Sequence, residues 1–372
     1  YFMTAATVLP SFLERLVDAT DINPWARVHH SPERYMWQSL LHGEDEPLPG
    51  LIEDQASGFP RPAWNELAPD SHALPGETWW EVVARRKQAE ALRDLLVSGA
   101  ITSVDEAIQS NLDLETVVVD AIDALDTPKD VVAAWNALTS IKIIDPTCGS
   151  GAFLFAALKI LELLYAAILD AADRHVGTSN NQDLRDLVAE ASAHPSRQYF
   201  CLKHAAIKNL YGVDLMNEAV EIARLRLFLK LVSTVTNRDD LEPLPDLDFN
   251  IKPGNILVGA RTIEDIVSST DTIFAVESLD EVTAAAEQAA KEYTDFQSAM
   301  ENGDETEIVR LKGQLRQVLS QARDTVDKQY FENQSAKTVP FAAWRKSSQP
   351  FHWFIEFPEV FSRGGFDVVV GN

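Results

Sequence analysis

One segment restricts the fold of this 372-residue chain more than any other. Ile143-Ile144-Asp145 is a β-branched run that closes on an acid. Pro146-Thr147-Cys148-Gly149-Ser150-Gly151 is a turn, and Ala152-Phe153-Leu154 opens a long apolar helix over residues 152–172. A strand that passes to a helix through glycines belongs to a parallel sheet, whose ligands lie at the carboxyl ends of the strands. Glycine permits positive φ and close approach of a ligand to backbone. The first N–H groups of the helix attract a negative group such as a carboxylate. The spacing is neither G-x-G-x-x-G nor G-x-x-x-x-G-K-[ST]. Asp145 also stands where a pyrophosphate would be repelled, so the site suits a cofactor with a cationic amino-acid tail better than a dinucleotide.

Strand and helix alternate on either side of this segment. Residues 210–213 read as a second strand ending near Asp214, and residues 218–232 as a helix. Short strands at 249–251 and 256–258 flank Pro253-Gly254, and 366–370 forms a last strand. Such alternation predicts an α/β fold, a parallel sheet with helices on both faces. The polar stretch 173–197 reads as a surface insertion. Residues 279–335 are charged and helical around Glu301-Asn302-Gly303-Asp304, which predicts an inserted helical hairpin, expected to project as a structural arm. Residues 1–125 read as a mainly helical amino-terminal region, and 126–372 as the core. Helical pieces lie at 11–19, 32–41, 111–125 and 128–138, with irregular chain at 44–75. Thr78-Trp79-Trp80-Glu81 has the spacing of a capping box before a helix over 82–97.

Composition removes several classes. Two cysteines, Cys148 and Cys201, cannot form a disulfide framework, and no Cys/His spacing suggests a metal site. Apolar runs reach about ten residues before a charge, short of a membrane span. No signal-like leader opens the chain, so a cytoplasmic location with no membrane partner is expected. The net charge of −25 opposes the basic stripe that nucleic-acid binding normally needs. Arg85-Arg86-Lys87, the densest basic run, reads as the solvated face of a helix, and Trp79-Trp80 as core.

Taken together, the motifs resemble those of amino-methyltransferases that act on DNA adenine. Asp145-Pro146-Thr147-Cys148-Gly149-Ser150-Gly151-Ala152-Phe153-Leu154 is similar to their S-adenosylmethionine motif. Thr127-Pro128 is similar to the element that precedes it in the gamma arrangement. Tyr211-Gly212-Val213-Asp214-Leu215 resembles the second strand, and Pro253-Gly254-Asn255 the end of the third. Gly365-Phe366-Asp367-Val368-Val369-Val370-Gly371-Asn372 resembles the strand leading into Asn-Pro-Pro-Tyr. Phe351-His352-Trp353-Phe354-Ile355-Glu356-Phe357 narrows the resemblance to the Eco57I-like (type IIG) restriction–modification methylases and their phage-defence relatives of the PglX kind.

The resemblance implies a Rossmann-like sheet binding S-adenosylmethionine. Asp145, Pro146, Thr147, Cys148, Gly149 and Gly151 would hold its methionine end, with Thr127 and Pro128 closing over it. Asp214 and Leu215 would meet the ribose, Asn255 the adenine, and Asn372 would orient the target amine as the catalytic residue. The implied substrate is the N6 amine of adenine in double-stranded DNA, with defence-system proteins as further partners and no metal.

The sequence departs from that pattern in three respects. Only the first residue of Asn-Pro-Pro-Tyr is present, so the chain reads as cut at its catalytic motif. Asp214 lies 63 positions beyond Gly151, where a simple dinucleotide-binding unit spaces its acid about 20. No nuclease constellation is legible. A cofactor-binding but inactive assembly subunit and a protein or RNA amino-methyltransferase are the alternatives. His352 reads as a structural histidine, and Cys148 as a packing residue rather than a nucleophile.

Overall fold

The computed structural model describes residues 1–49, 64–177, 179–236, 242, 244–267, 274–302, 305–332 and 339–372. It divides into two units, Leu13–Asp126 and a second made of Tyr1–Phe12 with Thr127–Asn372, the division falling inside the helix Phe2–Ala19.

The described elements of the Leu13–Asp126 unit are helices joined by turns, with one isolated bridge between Leu67 and Thr78. Thr78 and Glu81 form the expected capping box of the helix Trp79–Val97. Arg85, read from sequence as solvated, is buried instead. Its guanidinium donates to both carboxylate oxygens of Glu77 and to the carbonyls of His42 and His72. A buried charge persists only when its donors are all engaged in this way. Trp80, read as core, is 61% exposed and meets Trp64 edge-on. The helix expected over 32–41 is split into a 3-10 turn Pro32–Tyr35 and a short helix Gln38–Leu41. Much of the irregular stretch at 44–75 lies outside the described residues.

The second unit holds the sheet. Its strands are β1 (Ile143–Asp145), β2 (Leu210–Asp214), β3 (Ile251–Pro253) and β4 (Val368–Val369), all parallel in the order β3-β2-β1-β4. Successive strand residues face opposite sides. Tyr211 and Val213 therefore join Ile144, Phe351, Phe357 and Val360 in one core cluster, while Gly212 faces Leu154 and Cys148 on the other side. The two-residue β4 is seated by Asp367, whose carboxylate accepts the Lys142 N–H at 2.7 Å. Residues 256–258, expected as a strand, form a turn closed by the Val258 N–H to the Asn255 carbonyl.

The helices around this sheet are α1 (Pro128–Ser140), α2 (Ala152–Val176), α3 (Gln182–Ala193) and α4 (Asn217–Val232). By length and composition α2 could cross a bilayer. Sequence inspection stopped short of this because charges at Lys159 and Glu162 interrupt the run. Leu154, Leu158, Leu161, Leu164, Tyr165 and Ile168 are buried in the protein, so α2 is a core helix of the unit. The expected polar insertion contains α3, capped by Asn181 and burying Leu184, Leu187 and Ala191.

The hairpin consists of α5 (Phe274–Asn302) and α6 (Glu305–Glu332); its turn residues 303 and 304 lie outside the described residues. It does not project. Tyr293, Phe296, Leu315 and Leu319 share one apolar cluster with Ile207, Phe249 and Ala260. Tyr293 donates to the Asn250 side chain, and Gln297 to the Ile207 carbonyl. A charged composition hid this buried stripe.

Candidate active site

The register brings the chemistry to one edge. Asp145 pairs with Gly212, and Asp214 with Pro253, so the strand-end acids and the chain after β3 gather at the carboxyl end of the sheet. The glycine turn is strapped to β2. Cys148 N–H donates to the Val213 carbonyl at 2.8 Å, and Gly149 N–H to Asp214 Oδ2 at 2.9 Å. Asp214 Oδ1 accepts from Met216 N–H at 2.9 Å. Gly151 caps α2 with φ +79°, and a Cβ there would lie 3.1 Å from the Ala223 methyl on α4. Glycine meets both the backbone and the packing demand. Arg226, also on α4, donates to the Ser150 carbonyl.

Asp145 is the most unusual group at this edge. It is 1% exposed. Oδ1 accepts from Thr147 N–H at 3.1 Å, whereas Oδ2 is buried with no hydrogen-bond partner. Burial raises its pKa to about 6; the Thr147 N–H opposes the rise and the Asp214 charge adds to it. A buried carboxylate oxygen without a donor is costly, and Oδ2 has room in its bonding for a donor that the protein does not supply. The chain's end comes to the same point. Thr147 Oγ1 donates to the Asn372 carbonyl at 3.2 Å, and Gly371 passes close enough that a Cβ would sit 3.2 Å from Asp145 Oδ1.

The structure thus brings together Asp145, Pro146, Thr147, Cys148, Gly149, Gly151, Asp214 and Asn372. Leu215 follows Asp214 and is 56% exposed. Asn255 stands just past β3, its side-chain oxygen accepting the Leu257 N–H. Thr127 caps α1, accepting from Asp130 N–H and donating to the Asp130 carboxylate. No described hydrogen bond joins Thr127 or Pro128 to the glycine turn.

Cys148 is 4% exposed and abuts Gly212, where a Cβ would stand 3.2 Å from its sulfur. Burial and the charges of Asp145 and Asp214 push its thiol up to about 12. Only the thiolate is nucleophilic, so the folded protein should resist iodoacetamide at Cys148 at neutral pH and react once denatured. Mass spectrometry checks this; fast native alkylation at Cys148 would refute its packing role.

Sequence reasoning did not see what residues 351–357 do. Phe351 lies against Gly254, where any side chain would collide with its ring. His352 is buried, and both ring nitrogens are spent: Nδ1 accepts from Ala260 N–H at 3.0 Å, and Nε2 donates to Asp327 on α6 at 2.9 Å. Glu356, also buried, binds Lys252 of β3 and Arg323 of α6. Burial alone would raise the Glu356 carboxyl, but Arg323 and Lys252 outweigh it and hold it at about 2. The segment is a latch fastening the hairpin to the β3 edge. A lysine inside a strand, Ile251-Lys252-Pro253, was the sequence signal that a buried partner was needed.

Comparison with known proteins gives two family matches. Residues 208–372 match the Eco57I restriction-modification methylase family, and residues 122–242 the family described as MmeI, DNA-methyltransferase domain. A Methanocaldococcus jannaschii protein named "putative type II restriction enzyme and methyltransferase" is 26% identical over 294 residues, covering 66% of this chain and 23% of that protein. The chain therefore spans about a quarter of the length of this curated relative. No solved structure matches the chain. Among the described residues no group of three or more His, Cys, Asp or Glu is placed to hold a metal ion.

Proposed function

We propose that this chain, whose residues 208–372 match the Eco57I restriction-modification methylase family and 122–242 a DNA-methyltransferase domain, transfers a methyl group from S-adenosylmethionine to the exocyclic N6 amine of adenine in double-stranded DNA. The observation that carries the cofactor reading is the partnerless, buried Asp145 Oδ2. A cationic amine fits it, and a pyrophosphate does not. When bound, S-adenosylmethionine supplies an electrophilic methyl group on a sulfonium.

The chain's own residues then have these roles. Asp145 receives the cofactor's ammonium, and the Gly149–Gly151 backbone at the start of α2 favours its carboxylate. Thr127 and Pro128 close over the methionine end. Asp214 spends one N–H bond on each oxygen and keeps lone pairs for the ribose hydroxyls. Exposed Leu215 and the turn at Asn255 border the adenine. Asn372, tied to Thr147 through its carbonyl, accepts a hydrogen bond from the target amine and turns the nitrogen lone pair toward the methyl group. Rate gain arises from positioning, without a covalent enzyme intermediate. The setting we propose is cytoplasmic restriction–modification or phage defence, with defence proteins as further partners.

Asp214→Ala should weaken cofactor binding by about 1–3 kcal/mol, the loss of charge-assisted hydrogen bonds; unchanged affinity in calorimetry would remove Asp214 from the site. The reaction itself is tested by labelled methyl transfer from the full-length protein to duplex DNA, followed by nucleoside analysis. N6-methyladenine is expected. Label found only in RNA or protein would turn the assignment to another amine acceptor, and no transfer at all to a cofactor-binding assembly subunit.

A further inference from the structure

Among its described residues the acidic chain gathers cations at a place that its sequence does not show. A cavity of about 530 Å³ opens beside Pro253 and Gly254, at the same edge as the candidate active site. Its walls carry Arg224, Lys252, Arg316, Arg323 and Arg345 against Asp248, Asp327 and Glu356. These cations come from α4, β3, α6 and a further helix, α7 (Phe341–Ser348). Only Arg316 and Arg323 lie within twenty positions of one another, which is why no basic cluster is legible along the chain.

The carboxylates are already heavily used. Asp248 takes Arg224, Lys312 and Arg316; Glu356 takes Lys252 and Arg323; Asp327 takes Arg345 and His352. Among the lining residues cations therefore outnumber anions by five to three. The buried pair at Lys252 serves the latch. Arg316 and Arg345 differ, with side chains 59% and 40% exposed. The Arg316 guanidinium is bound to Asp248 by one nitrogen, and that of Arg345 to Asp324 and Asp327 by two. Both line the cavity, and a guanidinium fork matches a phosphate in charge and geometry. On α6, Lys312, Arg316 and Arg323 fall on one stripe about 16 Å long at the helical rise of 1.5 Å per residue.

We propose that this wall, and Arg316 and Arg345 in particular, grips the phosphate backbone of the DNA as it approaches the active-site edge, contributing register without reading bases. The inserted hairpin is then a DNA-contacting element that supplies positive charge to an otherwise repulsive protein. The inference rests on DNA being the substrate.

The test is fluorescence anisotropy of a labelled duplex with the protein across roughly 20 to 200 mM salt, where each phosphate contact adds about 0.9 to the slope of log K against log salt. Arg316→Gln/Arg345→Gln should lower that slope by about 2, with calorimetric affinity for S-adenosylmethionine unchanged. Arg316→Lys/Arg345→Lys, which keeps charge, should restore most of it. An unchanged slope in the glutamine variant overturns the grip while leaving DNA as the substrate, and so does absence of any duplex binding at low salt if labelled methyl still reaches DNA. A lowered slope with no methyl transfer to DNA would instead keep the cationic wall and sink the substrate reading.

Discussion

Glu356→Ala should lower the unfolding free energy by about 3–5 kcal/mol, the usual cost of removing one partner from a buried ion pair. Lys252 would be left 4% exposed with no carboxylate, and Arg323 would lose the anion it grips from α6. Lys252→Met combined with Glu356→Ala should recover much of the loss, because the cost lies in the stranded charge. The same group makes stability depend on acid. Its carboxyl is depressed in the folded state from 4.5 to about 2, so its contribution is present above the ordinary value and is lost as pH falls from 4.5 toward 2. Denaturation in urea measures both effects. A change under about 1 kcal/mol would show that the latch does not hold the hairpin.

The second large effect concerns Asp145. Asp145→Asn should weaken S-adenosylmethionine binding by about 2–3 kcal/mol, since it removes a buried charge that faces a cation. Binding by the unaltered protein should depend on pH. With the carboxyl near 6, only about one molecule in ten is ionised at pH 5, so affinity should fall roughly tenfold between pH 7 and pH 5. The asparagine variant should lose this dependence. Ligand-free stability moves the other way. The folded pKa is raised from 3.8 to about 6, so its contribution is present below 3.8 and is lost as pH rises through 6. Parallel pH titrations of affinity and of melting temperature would separate the two trends. Equal pH dependence in both proteins would mean that Asp145 does not meet the cofactor's amine.

The strand–turn–helix at residues 143–154 was legible because its local needs are specific: an acid at a strand end, and glycines where a turn must have positive φ and pack against Ala223. That β1, β2 and β4 run parallel followed from the alternation of periods; their order in the sheet was not legible. Residues 256–258 misled because an apolar triplet with β-branched Ile256 and Val258 reads as a strand, while the Asn255 side chain bends it into a turn through the Leu257 N–H. The hairpin, expected over 279–335, has helices Phe274–Asn302 and Glu305–Glu332, and the expectation that it projects missed its packing. Its buried stripe, with Phe296 and Leu315 fully covered, is diluted by the charges on its outer faces. Arg85 and the cationic wall failed for a different reason. Arg85 is held by Glu77 eight positions before it and by a carbonyl 43 positions away, and the wall's cations come from separate elements, so sequence spacing carries no information about how they gather. The same holds for Thr147 and Asn372, whose meeting gathers the two ends of the candidate site.

The most direct test of the account is isothermal titration of the protein with S-adenosylmethionine, with NAD as the control. The account predicts saturable, single-site binding of S-adenosylmethionine that weakens on acidification below pH 6, and no binding of NAD. Binding of NAD at the same site, or an S-adenosylmethionine isotherm indifferent to Asp145→Asn, would contradict it.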